Sequence, residues 1–135
     1  MANTGGASPP AGARPRILLV DDDPLITQLI TDMLGLDGLD VDSAPNGIAA
    51  LDKVQRRRYD LILTDLHMPE LDGISLYREL GRRQAHPQHK VIFLTGTTES
   101  SEALRIVKET GAPLLKKPFN LAELLSLVRK VLEAP

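Results

Sequence analysis

The stretch ILLVDDDP, residues 17–24, decides how the rest of the chain is interpreted. Its first four residues are all apolar, as a strand covered by helices on both faces requires. Two later runs, residues 61–63 and 91–94, have the same character. Each run is followed by a segment with the apolar spacing of a helix, so the sequence predicts βαβ units that build a parallel sheet.

The alternation of strand and helix patterns occurs five times along the chain. We predict strands at residues 16–20, 39–43, 60–64, 90–95 and 113–116. We predict helices at residues 24–35, 46–57, 72–83, 98–110 and 120–132. The second strand alternates apolar and charged residues and the fifth is short, so both are expected at the sheet edges. The predicted fold is α/β, a doubly wound five-stranded parallel sheet in the order 2-1-3-4-5.

Residues at two of the helix starts support these positions. Asp23 is a favoured N-cap residue, and Pro24 after it is favoured at the first helical position. Asn120 is followed three residues later by Glu123, the spacing of a capping box. We therefore interpret Asp23 as a helix cap and not as a metal ligand.

Composition indicates one folded domain at residues 16–132 and a C-terminal end at 133–135. Residues 1–15 are mostly Gly, Pro, Ala and small polar residues, which predicts a flexible tail. The chain has no Cys, which excludes thiolate metal sites and Cys nucleophiles. A net charge of -2 and the lack of a long apolar run argue against nucleic-acid and membrane binding. We expect a cytoplasmic protein.

Polar residues stand at four of the predicted strand ends. Asp21 and Asp22 follow the first strand, Asp65 follows the third, Thr95 ends the fourth and Lys117 follows the fifth. In an open parallel sheet these ends meet in one crevice, at the point where the strand order reverses. We therefore expect the five side chains to share a pocket.

The chemistry of such a pocket points to phosphoryl transfer. Clustered carboxylates repel one another, and a hard divalent cation relieves the repulsion. Mg²⁺ fits because it binds one or two carboxylates and keeps positions for water and phosphate oxygens. A further aspartate can attack phosphorus and form an aspartyl phosphate. Lys117 and Thr95 would stabilise the charge on the transferred group.

Four motifs together resemble the receiver domain of two-component response regulators over residues 16–132: ILLVDDDP (17–24), LILTDLHMPELDG (61–73), VIFLTG (91–96) and KKPF (116–119). The resemblance implies a flavodoxin-like fold. It implies that Asp65 is the phosphorylated residue and that Thr95 and Lys117 contact the phosphoryl group. It also implies a cis peptide bond between Lys117 and Pro118.

The resemblance implies a magnesium site as well. Asp21 and Asp22 would be the metal-binding acids, with Asp22 the direct ligand and Asp21 acting partly through water. Asp65 would complete the carboxylate set. His67 would contribute its backbone carbonyl, so its imidazole is not implied as a ligand.

The resemblance also implies partners. A histidine kinase or phosphotransfer protein would donate the phosphoryl group and dock on the first helix, where Leu25 and Leu29 widen the apolar face. The last two helices and the last strand would change on phosphorylation and meet a downstream target that the sequence does not identify. Leu127 and Ile106 lie beside the main stripes of those helices, so a homodimer through them is an alternative.

Two other functions stay open at the sequence level. Leu114 stands where the family commonly has an aromatic ring, so a receiver fold that binds partners without phosphorylation is one alternative. The other is a phosphohydrolase of the haloacid-dehalogenase type, with Asp21 as nucleophile and Asp23 as general acid. Leu25 departs from that pattern, which prefers Thr or Val. We expect a phospho-acceptor that promotes only its own phosphorylation and dephosphorylation, not an enzyme.

Overall fold

The structure is a computed structural model that describes residues 14–68, 70–83, 90–96 and 99–134. Nearly all of the predicted tail, and Pro135, lie outside the described residues. Strands and helices alternate in the order β1 (Arg16–Val20), α1 (Pro24–Leu36), β2 (Asp40–Ala44), α2 (Gly47–Arg56), β3 (Leu61–Asp65), α3 (Gly73–Arg83), β4 (Val91–Thr95), α4 (Ser101–Thr110), β5 (Leu114–Lys116) and α5 (Leu121–Glu133).

The sheet has the predicted topology. Its strands are parallel and lie in the order β2-β1-β3-β4-β5. Nearly every residue of β1, β3 and β4 is buried, which confirms these three as the central strands. β2 is mostly only partly buried, and it lies at one edge as its alternating sequence predicted. The order reverses between β1 and β3, and the carboxyl ends of these strands frame a crevice.

Helices cover both faces of the sheet. One apolar cluster joins the sheet to α2, α3 and α4, and a second joins it to α1 and α5. Ile106 corrects one expectation: it is 5% exposed and belongs to the first cluster, because the inward stripe of α4 runs through Ala103 and Ile106. Leu104 and Val107 are the exposed apolar residues of this helix. In the part of the chain that the structure describes, no helix is long and apolar enough to cross a membrane.

The predicted helix caps are confirmed. The carboxylate of Asp23 accepts the N–H of Leu25 at 2.9 Å. Asn120 and Glu123 form the reciprocal pair of a capping box, with N···O distances of 2.8 and 3.1 Å. Each cap satisfies backbone donors that have no partner inside the helix. These helix starts therefore follow from short stretches of sequence.

Observed element ends agree with the predicted ones to within one residue, except at the start of α4. That helix begins at Ser101 and not at 98, because the Ser100 hydroxyl accepts the N–H of Ala103 at 3.0 Å and caps it there. Residues 97–98 lie outside the described residues. Asp65 is the last residue of β3 and not the first after it, because it still pairs with Leu94 of β4.

Gly73, the first residue of α3, lies against the main chain of β3. A Cβ atom there would stand 2.5 Å from the carbonyl oxygen of Asp65 and 3.0 Å from the Cα of Leu66. We expect Gly73→Ala to lower the free energy of unfolding by about 1–3 kcal/mol, because backbone atoms must move to admit the methyl group. Urea unfolding measures this change.

Gly35 in α1 is the matched control, because a Cβ atom there would meet nothing within 4 Å. Gly35→Ala should raise the free energy of unfolding by about 0.5–1 kcal/mol through helix propensity alone. A Gly73→Ala variant that is as stable as Gly35→Ala would contradict the steric explanation.

Candidate functional site

Three carboxylates meet at the carboxyl edge of the sheet. Asp21 and Asp22 follow β1, and Asp65 ends the adjacent strand β3. One oxygen from each carboxylate lies within 4.8 Å of the others. Asp21 is 3% exposed and Asp65 8%, whereas Asp22 faces solvent. The predicted acidic cluster is therefore present, with two of its members inside the fold.

The main chain around β1 fixes the carboxylate of Asp21. Its Oδ1 accepts the N–H of Asp23 at 2.8 Å, and its own N–H donates to the carbonyl oxygen of Ala44 at 3.2 Å. Burial raises the pKa of Asp21, and the charge of Asp65 adds to this, although the N–H of Asp23 and the ammonium of Lys117 oppose it. The charged form of Asp21 is therefore held at a cost in the metal-free protein.

Lys117, the first residue after β5, joins this cluster. Its Nζ lies 3.4 Å from Oδ2 of Asp21 and 3.3 Å from Oδ2 of Asp65. Its backbone N–H donates to the carbonyl oxygen of Thr95 at 2.8 Å, and its bond to Pro118 is cis, as the resemblance implied. Burial alone lowers the pKa of Lys117, but the two carboxylates outweigh it and the pKa is raised. The ammonium thus keeps its charge beside the acids.

Thr95 and His67 border the cluster. Thr95 ends β4, is 1% exposed and pairs in register with Lys116 of β5. The backbone N–H of His67 donates to Oδ1 of Asp65 at 3.4 Å. The imidazole of His67 is directed to solvent, with its Nε2 3.3 Å from Oε1 of Glu102. Sequence reasoning missed Glu102, since no local pattern links it to a residue in another loop.

The donor set suits a hard divalent cation. Three carboxylates lie together and one ammonium is within contact distance of two of them, so negative charge is in excess among these residues. Carboxylate oxygens are ligands that Mg²⁺ prefers. Among the residues that the structure describes, this cluster contains neither an imidazole nor a thiolate, the ligands that would favour Zn²⁺. The residues present therefore fit Mg²⁺.

A family model described as the response regulator receiver domain matches residues 17–129. The chain belongs to this family. The receiver family is one of two-component signalling, and the match covers the sheet, the helices and the acidic cluster together. It does not favour the alternative of a dehalogenase-type phosphohydrolase.

Relatives of this receiver occur in regulators and in kinases. It is 36% identical over 117 residues to the transcriptional regulatory protein CpxR homolog of Haemophilus influenzae, covering 87% of this chain and 50% of that protein. It is 34% identical over 119 residues to the sensor kinase CckA of Brucella abortus, covering 87% of this chain and 12% of that protein. The chain thus spans about half the length, or less, of these two relatives.

A solved structure supports the same assignment. The receiver domain of the sensor histidine kinase PA1611 from Pseudomonas aeruginosa has a TM-score of 0.79 and 34% identity to this receiver. The match covers 90% of this chain and 100% of that one. That structure is described with a magnesium ion coordinated in its active-site cleft. This receiver is therefore homologous to response regulators and to the receiver domains of kinases. Both kinds of relative are consistent with phosphorelay signalling.

Asp21→Asn should stabilise the metal-free receiver. Because the pKa of Asp21 is raised in the fold, the folded state binds this proton more tightly than the unfolded state. The unfavourable contribution is absent below the ordinary value of 3.8, grows as pH rises from there to the raised pKa of the folded state, and is constant above it. At pH 7 without metal we expect the free energy of unfolding, measured with urea, to rise by about 0.5–2 kcal/mol.

Asp22→Asn is the matched control, because Asp22 is exposed and water already solvates it. Both variants should reduce the stabilisation that Mg²⁺ gives the parent, since both remove a carboxylate from the cluster. A metal-free Asp21→Asn protein less stable than Asp22→Asn would contradict the electrostatic explanation.

Proposed function

We propose that this receiver takes a phosphoryl group onto Asp65 in an Mg²⁺-dependent reaction. The donor is a phosphohistidine on a histidine kinase or a phosphotransfer protein. One observation carries the proposal: the ammonium of Lys117 touches the carboxylates of both Asp65 and Asp21 inside a cluster of three acids. A nucleophile, a set of metal ligands and a cation for the transferred group are thus in one crevice.

The surroundings of Asp65 orient its carboxylate for attack. The N–H of His67 holds Oδ1 and the ammonium of Lys117 holds Oδ2. In the reaction an oxygen of Asp65 forms a bond to phosphorus while the bond from phosphorus to the donor imidazole breaks, and that nitrogen leaves with the electron pair. Lys117 and the hydroxyl of Thr95 then face the charge on the transferred group.

The metal ligands are proposed from the same cluster. Asp21, Asp22 and Asp65, with the backbone carbonyl of His67, would hold Mg²⁺, which supplies positive charge for the phosphoryl oxygens. The Asp21 carboxylate is already fixed by the N–H of Asp23, so its direction does not depend on the ion.

The donor is proposed to dock on α1. Leu25 and Leu29 are 80% and 53% exposed, so this part of the apolar face is not used by the core. Leu25 is the second residue of α1, which begins two residues after Asp22, so a helical partner on this face would reach the acidic cluster. The exposure of these residues supports the sequence-based expectation of a partner surface.

The output surface is proposed at α4, β5 and α5. A groove of about 650 Å³ runs along it, bordered by Val107, Leu114, Leu127 and Lys130 among others. Phosphorylation adds about -1.5 to -2 charges next to Lys117, which changes the electrostatic balance at the start of the β5–α5 connection. A downstream target or a second copy of this chain would meet this surface.

The same proposal includes the domain bounds, the absence of an external substrate and the location in the cell. Residues 16–132 act as the receiver unit, with residues 1–15 a tail and 133–135 its C-terminal end. The unit transfers phosphate only to and from itself and turns over no external substrate, and it works in the cytoplasm without nucleic acid or membrane.

A second candidate is a receiver that binds partners without phosphorylation. Leu114 favours it, because this residue is half-buried against the first apolar cluster where the family commonly has an aromatic ring. Equal partner binding before and after phosphorylation would support this candidate.

Incubation with acetyl phosphate and Mg²⁺, followed by intact mass measurement, tests the leading proposal. We expect a mass increase of one phosphate, located in the peptide that contains Asp65, and no increase when EDTA removes the metal. An unchanged mass, or a phosphate on another peptide, would overturn the proposal.

A further inference from the structure

A side-chain contact joins the loop after β3 to the first turn of α4. Nε2 of His67 lies 3.3 Å from Oε1 of Glu102, and both side chains are more than half exposed. An Nε2–H group donates to a carboxylate whether or not the other ring nitrogen carries a proton. The contact therefore does not depend on the charge of the imidazole.

His67 also touches the carboxylate that we propose is phosphorylated. Its backbone N–H donates to Oδ1 of Asp65 at 3.4 Å. The same residue thus contacts the reacting group with its main chain and α4 with its side chain. A phosphoryl group on Asp65 would alter the acceptor that this N–H meets, which gives a physical reason for the main chain of His67 to readjust.

The other end of α4 is held by α3. Arg78 makes two hydrogen bonds to Glu109, at 2.9 and 2.8 Å. The hydroxyl of Tyr77 donates to the carbonyl oxygen of Thr110 at 3.2 Å. These contacts tie the last turn of α4 to α3, so a change that reached the first turn would move it relative to this tied end.

We propose that Glu102 is a positioning residue that couples the state of Asp65 to the first turn of α4 through His67. The inference rests on the proposed function, and it assigns a route for the response in a receiver that has Leu114 where an aromatic ring is usual. Glu102 directly contacts the side chain of His67, whose main chain touches the carboxylate of Asp65.

The test compares amide hydrogen exchange with and without phosphorylation of Asp65 by acetyl phosphate and Mg²⁺. The amides of Ala103 and Leu104 report on the first turn, because both are bonded to the cap residue Ser100. In the parent we expect phosphorylation to change their exchange rates by about two- to fivefold, the size that an exposed pair can transmit. The difference should vanish in Glu102→Ala and be restored in Glu102→Gln, whose amide oxygen still accepts the Nε2–H.

Glu109→Ala is the matched control, since it removes a surface ion pair from the same helix while Tyr77 still holds Thr110. It should keep the phosphorylation-dependent difference. A Glu102→Ala protein that is phosphorylated and keeps the parent's difference would overturn this inference alone, as would a phosphorylated parent without any difference. A parent that takes up no phosphate would overturn the proposed function, and this inference with it.

Discussion

Asp65→Asn should remove phosphorylation by acetyl phosphate, with a loss of at least about 10³-fold in rate. The amide has the size of the carboxylate but is a very weak nucleophile toward phosphorus. Its oxygen can still accept the N–H of His67, so the loop after β3 should keep its position. Intact mass after incubation with Mg²⁺ and acetyl phosphate measures the loss, and urea unfolding checks that the variant is folded.

Asp23→Asn is the matched control for this substitution. Asn is as good a helix cap as Asp, so the bond to the N–H of Leu25 should survive. We expect this variant to be phosphorylated like the parent. The reverse pattern, with phosphorylation kept in Asp65→Asn but lost in Asp23→Asn and Asp21→Asn, would revive the dehalogenase-type mechanism.

Lys117→Met should have two large effects. The first is a loss of about 10²–10³-fold in phosphorylation rate, the usual effect of removing one group that stabilises transition-state charge. The second is a loss of about 1–2 kcal/mol in the stability of the metal-free protein, because Asp21 and Asp65 are left facing each other without their cation. Mg²⁺ should restore more stability to this variant than it gives the parent.

Lys116→Met separates these effects from a general loss of charge on β5. Lys116 is the exposed last residue of β5 and directly precedes Lys117 in the chain. It should be phosphorylated at the parent's rate and respond normally to Mg²⁺. If both lysine variants lost phosphorylation equally, the direct role of Lys117 would be wrong.

Local sequence was enough for most of the fold. Apolar runs of three or four residues identified the central strands because burial on both faces leaves no polar position within the run. Asp23 and Asn120 located helix starts because capping is a contact between residues two or three apart. The end of β3 was wrong by one residue, because Asp65 remains in the sheet through its pairing with Leu94 on another strand.

The membership of the site also followed from sequence, since parallel strands place their carboxyl-end residues at one edge. Asp21, Asp65 and Lys117 lie within contact distance for that reason. Their order in the chain fixed which residues could meet, but it carried no information on distance, burial or pKa.

Tertiary structure alone decided the contacts between residues far apart in the chain. Ile106 proved to be buried, because helix rotation depends on how α4 packs on the sheet. The approach of Gly73 to the carbonyl of Asp65 and the pairing of His67 with Glu102 depend on how loops and helices from different βα units come together. A linear pattern records hydrophobicity and local hydrogen bonds, whereas these contacts are fixed only when the whole core packs.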